Sequence, residues 1–126
     1  MRVHLVDGTY ELFRHHFGLP EEVRAAPDAA VRSVIEGTVA LLEEGVTHLG
    51  VATDHVVESF RNELWPGYKT SEGMDPAILR QFAPLEEALG ELGVTVWAMT
   101  DLEADDALAS ASVVASNDDE DRKSVV

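Results

Sequence analysis

Arg2-Val3-His4-Leu5-Val6-Asp7-Gly8 is a short apolar run that ends on an acid and a glycine. It is too short for a packed helix and reads as a buried strand. Two more stretches share this build. His48-Leu49-Gly50-Val51-Ala52-Thr53 runs into Asp54, and Val94-Thr95-Val96-Trp97-Ala98 is followed by Glu103, Asp105 and Asp106. Helical patterns lie between them. Thr9 to Phe17 places Leu12, Phe13 and His16 at helical spacing and is broken by Gly18-Leu19-Pro20. Residues 20–27 are polar with two prolines and read as a loop. From Asp28, Ala30, Val31, Val34, Ile35, Thr38, Leu41 and Leu42 recur at intervals of three and four, and Gly45 is a C-cap candidate.

The stretch 55–74 reads as irregular, with a short helix or turn near Ser59–Leu64. Asp75-Pro76 has the chemistry of a helix start. That helix is expected to reach about Leu92 and to bend at Pro84. An Ala-rich amphipathic helix follows from Glu103 to Ala115, then an acidic turn, and Ser124-Val125-Val126 looks like the opening of a fourth strand. Strands alternating with helices imply an α/β fold, a parallel sheet with helices on both faces.

The length, 126 residues, fits one domain, and a hydrophobic share of 45% is a normal globular value. No apolar run is long enough to span a bilayer, and the N-terminus lacks the pattern of a signal peptide. Cysteine is absent, which excludes disulfides and thiolate zinc sites and makes a cytoplasmic location the default. The net charge is −15, from 9 Lys and Arg against 24 Asp and Glu. Such a balance lacks the basic footprint of a nucleic-acid binder. It fits a cation site, a chain whose basic part lies elsewhere, or an acidic proteome.

Ligands of open α/β sheets bind beyond the carboxyl ends of the strands. Asp7, Asp54, Glu103, Asp105 and Asp106 all fall at that edge. Crowded carboxylates repel one another and are tolerated mainly around a cation. An all-oxygen set suits Mg²⁺ or Mn²⁺. Each acid also has a plainer use. Asp7 suits a helix cap, Asp54 a turn, Thr100-Asp101-Leu102-Glu103 a capping box, and Asp105 and Asp106 the positive end of a helix dipole. A phospho-receiver module with Asp54 as acceptor is a second candidate. A receiver needs an acidic pair after its first strand, however, and here Gly8 and Thr9 follow Asp7.

Three blocks, in order, carry a likeness. Leu5-Val6-Asp7-Gly8 with Arg14 seven positions past the Asp, Phe60-Arg61-Asn62-Glu63-Leu64-Trp65-Pro66-Gly67-Tyr68-Lys69, and Leu102-Glu103-Ala104-Asp105-Asp106 together resemble the bacterial 5′–3′ exonuclease and flap endonuclease family. The resemblance implies a PIN-like nuclease domain over 1–126 that hydrolyses DNA at 5′ ends or flaps. It implies that Asp7, Asp54, Glu103, Asp105 and Asp106 hold Mg²⁺ or Mn²⁺, in a family with a two-metal site. Lys69 and Arg61 then take catalytic roles, and Arg14, Phe60 and Tyr68 contact the substrate.

The sequence departs from the family pattern in two places. Glu72 stands where many members carry an Arg three positions after the Tyr-Lys pair. The chain also stops at Val126, before the family's Thr-Pro-Asp-Lys-Asp-like block and helix-hairpin-helix. The expectation is an incomplete nuclease domain with a partly formed metal site and weak or no activity, or a non-catalytic remnant of the fold. His16 reads as a helix-face residue, His15 as exposed, and Trp65 and Trp97 as packing residues.

Overall fold

A computed structural model of the chain describes residues 2–58, 61–65, 74–117 and the strand at 124–125. The first strand, β1 (Arg2–Asp7), runs straight into helix α1 (Gly8–Gly18). The turn between them is tight because residue 8 is glycine. A Cβ there would stand 2.8 Å from both Thr53 Cγ2 and Val51 Cγ1, so only glycine lets α1 start this close to the neighbouring strand. That strand, β2 (His48–Thr53), pairs with β1 in parallel, with Leu5 opposite Gly50 and Asp7 opposite Ala52. The third strand, β3 (Thr95–Ala98), pairs with β2, and β4 (Ser124–Val125) pairs with β1. The order is β3-β2-β1-β4, all parallel.

Successive strand residues face opposite sides, so one strand serves two layers. Val6 and Val51 face α1 and α3 (Ala29–Glu43), with α6 (Phe82–Glu91) beside them. Leu12, Val31, Val34, Ile78, Phe82, Leu85 and Leu89 close this main core. Val3, Leu5, Gly50 and Trp97 face the opposite side, where α7 (Ala104–Ser116) packs against the sheet. The parallel sheet with helices on both faces is as the sequence implies.

Several boundaries differ from the sequence reading. Residues 21–24 form a short helix, α2 (Glu21–Arg24), rather than loop. Pro20 precedes it and Glu21 and Glu22 fill its first turn, both favourable at a helix start. The single helix expected from Pro76 to Leu92 is two, α5 (Pro76–Leu79) and α6, broken at Arg80-Gln81 rather than bent at Pro84. Pro84 lies in the first turn of α6, where its missing N–H costs nothing, and its ring opposes continuation from the turn before. Gln81 secures the break. Its amide donates to Ala77 O at 2.7 Å, and its carbonyl accepts from Val31 N at 3.1 Å. Gly45 does sit past the end of α3 with φ of 99°, as the C-cap reading requires.

His16 lies on the buried face of α1 with Leu12, at 4% exposure, as its spacing implies, while Trp65 is 73% exposed and does not pack as expected. His15 is half-buried and its Nδ1 lies 2.6 Å from Ser33 Oγ on α3. Trp97 does pack, lying against Gly50. Among the described residues no helix is long and apolar enough to cross a membrane.

Candidate metal centre

The parallel topology delivers three chain segments to one edge of the sheet. Asp7 ends β1, Asp54 follows β2, and Glu103 and Asp105 open α7 after β3. These four line a cleft of about 330 Å³ together with Thr9, Tyr10 and Phe13 of α1. The larger groove, about 750 Å³, runs beneath α7 over an apolar floor and has a single acid, Asp106, in its lining. The structure thus brings four of the five acids into one small cleft and turns the fifth to the other side.

Backbone hydrogen bonds hold the first two acids in place. Asp7 caps α1, accepting from Tyr10 N at 3.0 Å. Asp54 is buried at 5% exposure. Its carboxylate accepts from Ala104 N, the first residue of α7, at 2.9 Å, and its own N–H donates to Thr9 Oγ1 at 2.8 Å. Asp54 therefore staples α1 and α7 to the end of β2. Thr9 was not among the residues singled out by sequence, and nothing in its local pattern marks it beyond a place two residues after Asp7.

Asp7 and Asp106 differ sharply in their electrostatics. Burial pushes the Asp7 carboxyl above its ordinary value, and repulsion from Asp54 and Asp105 adds to this against the pull of the Tyr10 N–H. Asp106 goes the other way. Its carboxyl is held down at about 2, first by hydrogen bonding to Arg61 and then by the Glu103 N–H. Arg61, on the short helix α4 (Arg61–Leu64), makes two 2.9 Å bonds to Asp106, Nη1 to Oδ2 and Nη2 to Oδ1, and Nη1 also bonds Glu103 Oε2. This forked pairing raises the Arg61 pKa further. Asp106 also accepts from Glu103 N at 2.8 Å. The cap of α7 is thus built by Glu103 and Asp106 and not by Thr100 and Glu103. Three residues of offset separate the two readings, and the end of β3 decides between them.

The remaining sequence candidates fall in two groups. Arg14 lines a separate cavity between α1 and α3, not the acid cleft, and its Nη2 is paired with Glu11 Oε2 at 2.6 Å, which raises its pKa. Phe60, Tyr68 and Lys69 lie outside the described residues.

The donor set can be tested against a hard cation. Among the described residues, no group of three or more His, Asp or Glu side chains stands in the geometry that encloses an ion. The cleft still fits a hydrated one. Mg²⁺ keeps several of its waters and takes one or two carboxylates directly, so acids spread around a 330 Å³ cleft suit it better than a closed cage would.

With this geometry in view, likeness to known proteins becomes informative. A family model described as "5′-3′ exonuclease, N-terminal resolvase-like domain" matches residues 2–126. The chain belongs to this family. DNA polymerase I of Mycobacterium leprae is 34% identical over 120 residues, covering 90% of this chain and 13% of that protein. DNA polymerase I of Mycobacterium tuberculosis is 31% identical over 120 residues, with the same shares. The thermostable DNA polymerase I of Thermus aquaticus is 34% identical over 113 residues, 86% of this chain and 14% of that protein. This 5′–3′ exonuclease-type chain therefore spans about one-seventh of the length of the curated relatives it matches.

Proposed function

We propose that the chain is a nuclease module that uses Mg²⁺ or Mn²⁺ to hydrolyse phosphodiester bonds of DNA at 5′ ends or flaps. The observation that carries this reading is the meeting of Asp7, Asp54, Glu103 and Asp105, from three separate segments, in one cleft at the carboxyl edge of the sheet. Family membership and the polymerase relatives support it.

Asp7, Asp54 and Asp105 would hold the cation, with Glu103 at the rim of the cleft between it and Arg61. The bound ion would supply a water of lowered pKa and neutralise charge on the phosphate. The protein's own residues do the rest. Asp54, pinned by Thr9 and Ala104, fixes the cleft floor at the same place in every molecule. Tyr10 and Phe13 line the wall nearest α1, where a base or sugar would rest. Arg61 stands beside the cleft with its charge already committed to Glu103 and Asp106. It would meet a phosphate only by sharing those bonds. Lys69 and Tyr68 are assigned to the substrate by the family pattern alone.

The net charge of −15 gives the chain no general basic footprint, so on this reading the cation carries much of its hold on the phosphate. The test is cleavage of a 5′-flap duplex labelled at its 5′ end, with Mg²⁺, Mn²⁺ or EDTA. Slow, metal-dependent release of short 5′ products, lost in Asp7→Ala and Asp105→Ala, is expected. Cleavage that persists in EDTA or in both variants would rule the reading out.

A further inference from the structure

Glu86 is a charged residue on the buried stripe of α6, one turn from Phe82 and Leu89, which are both in the core. Its side chain is only 11% exposed. Two donors satisfy it. Thr53 Oγ1 donates to Oε2 at 2.6 Å, and His55 Nδ1 lies 2.6 Å from Oε1 and 3.1 Å from Oε2. Thr53 and His55 are the residues on either side of Asp54. One carboxylate from α6 thus grips the chain immediately before and after a proposed cation ligand.

The grip reaches Asp7 as well. Thr53 is fully buried, and with its hydroxyl turned to Glu86 its Cγ2 packs where a side chain on residue 8 would be. The rotamer of Thr53 therefore sets the contact between β2 and the Asp7-Gly8 turn. Short bonds to a largely buried carboxylate are stronger than neutral ones and lock both partners in place. We propose that Glu86 is a positioning residue for the carboxylate cleft, fixing Asp54, and through Thr53 the Asp7 turn, without touching ion or substrate. The proposal rests on the nuclease reading for its purpose but on the hydrogen bonds for its existence.

Amide hydrogen exchange reads the placement directly, with neither metal nor DNA present. Asp54 N–H is held by Thr9 Oγ1 and Ala104 N–H by Asp54 Oδ1, so these two amides report whether Asp54 stays in place. In Glu86→Ala, both should exchange roughly 10-fold faster, while core-strand amides such as Val6 and Val51 keep their protection. Thr53→Val preserves shape but removes the donor, and should give part of the same local effect. Glu86→Gln keeps an acceptor for Thr53 and should restore much of the protection.

Mn²⁺ titration of the same variants adds a readout that a merely stabilising residue would not move. A roughly 10-fold weaker affinity in Glu86→Ala is expected where wild type binds. Failure of wild type to bind Mn²⁺ would remove the nuclease reading and leave the exchange pattern to judge Glu86. If Glu86→Ala does not fold, Thr53→Val and Glu86→Gln decide by the same two amides. Exchange that rises uniformly across the sheet, or is unchanged at Asp54 and Ala104, would overturn the proposal.

Discussion

Asp105 and Asp106 are neighbours in sequence and opposites in circumstance. Asp105 turns into the cleft with Asp7, Asp54 and Glu103, where acid faces acid. Asp106 turns away and is taken by both arms of the Arg61 guanidinium. A helix rotates about 100° per residue, which is enough to send adjacent side chains to different surroundings. The comparison teaches that an acidic run at a helix start can do two jobs at once. One half of it is neutralised by the protein's own cation and serves structure. The other half faces Asp7 and Asp54 across the cleft and, on the proposed reading, would meet an ion from solution.

The largest effect that could break this division comes from the Arg61 side. Arg61→Met leaves Glu103, whose side chain is 7% exposed, as a buried acid without its guanidinium, next to Asp106. Removing one partner of such a pair is far more damaging than never having had it. The described residues of helix α4 include no buried one, and this clamp ties it to α7. Limited proteolysis at Leu64-Trp65, both exposed, should accelerate by roughly 10-fold, with a lower melting temperature. Unchanged cleavage would show that the clamp does not hold α4.

A smaller effect, of opposite sign, is expected on the cleft side. Asp7→Asn keeps the helix cap, since Asn is as good an N-cap as Asp, and removes one of the repelling charges. The metal-free melting temperature at neutral pH should rise by about 2–4 °C, while metal affinity falls. The pH dependence sharpens the contrast. Folding raises the Asp7 pKa, so its ionised form destabilises the fold at neutral pH, and protonation relieves this as pH falls. The advantage of Asp7→Asn should therefore shrink with falling pH. Asp106 is the reverse case. Its value of about 2, against an ordinary 3.8, stabilises the fold above that ordinary value and is lost as pH falls from there toward 2. Thermal melts of Asp106→Asn beside wild type should differ most at neutral pH and converge in that acid window. A difference that grows on acidification would contradict the assignment.

Much of this was legible in the sequence, for physical reasons that the residues make plain. Leu5-Val6-Asp7-Gly8 encoded strand, acid and tight turn in four letters, and parallel topology then carried Asp7, Asp54 and Asp105 to one edge. The convergence followed from the order of elements and needed no knowledge of loops. The split of Asp106 from Asp105 was not legible, because it depends on where Arg61 lands, and Arg61 reaches α7 across 45 residues of chain. Glu86 was missed although a signal was present: an acid on the apolar stripe of Phe82, Leu85 and Leu89 is out of pattern and calls for a buried partner. The break at Arg80-Gln81 was missed because Pro84 was read as a bend inside one helix when it is a start signal for the next.

The central claim is that the surplus charge of Asp7, Asp54 and Asp105 makes one specific cation site on a generally acidic surface. Substoichiometric Mn²⁺ broadens NMR signals close to where it binds, and backbone amide spectra read this residue by residue. The account predicts selective broadening at Asp7, Thr9, Asp54, Ala104 and Asp105, with the amides of Glu43, Glu44 and Val114 left sharp and the effect abolished in Asp105→Ala. Broadening spread over the exposed acids, or centred on Glu43 and Glu44, would contradict it.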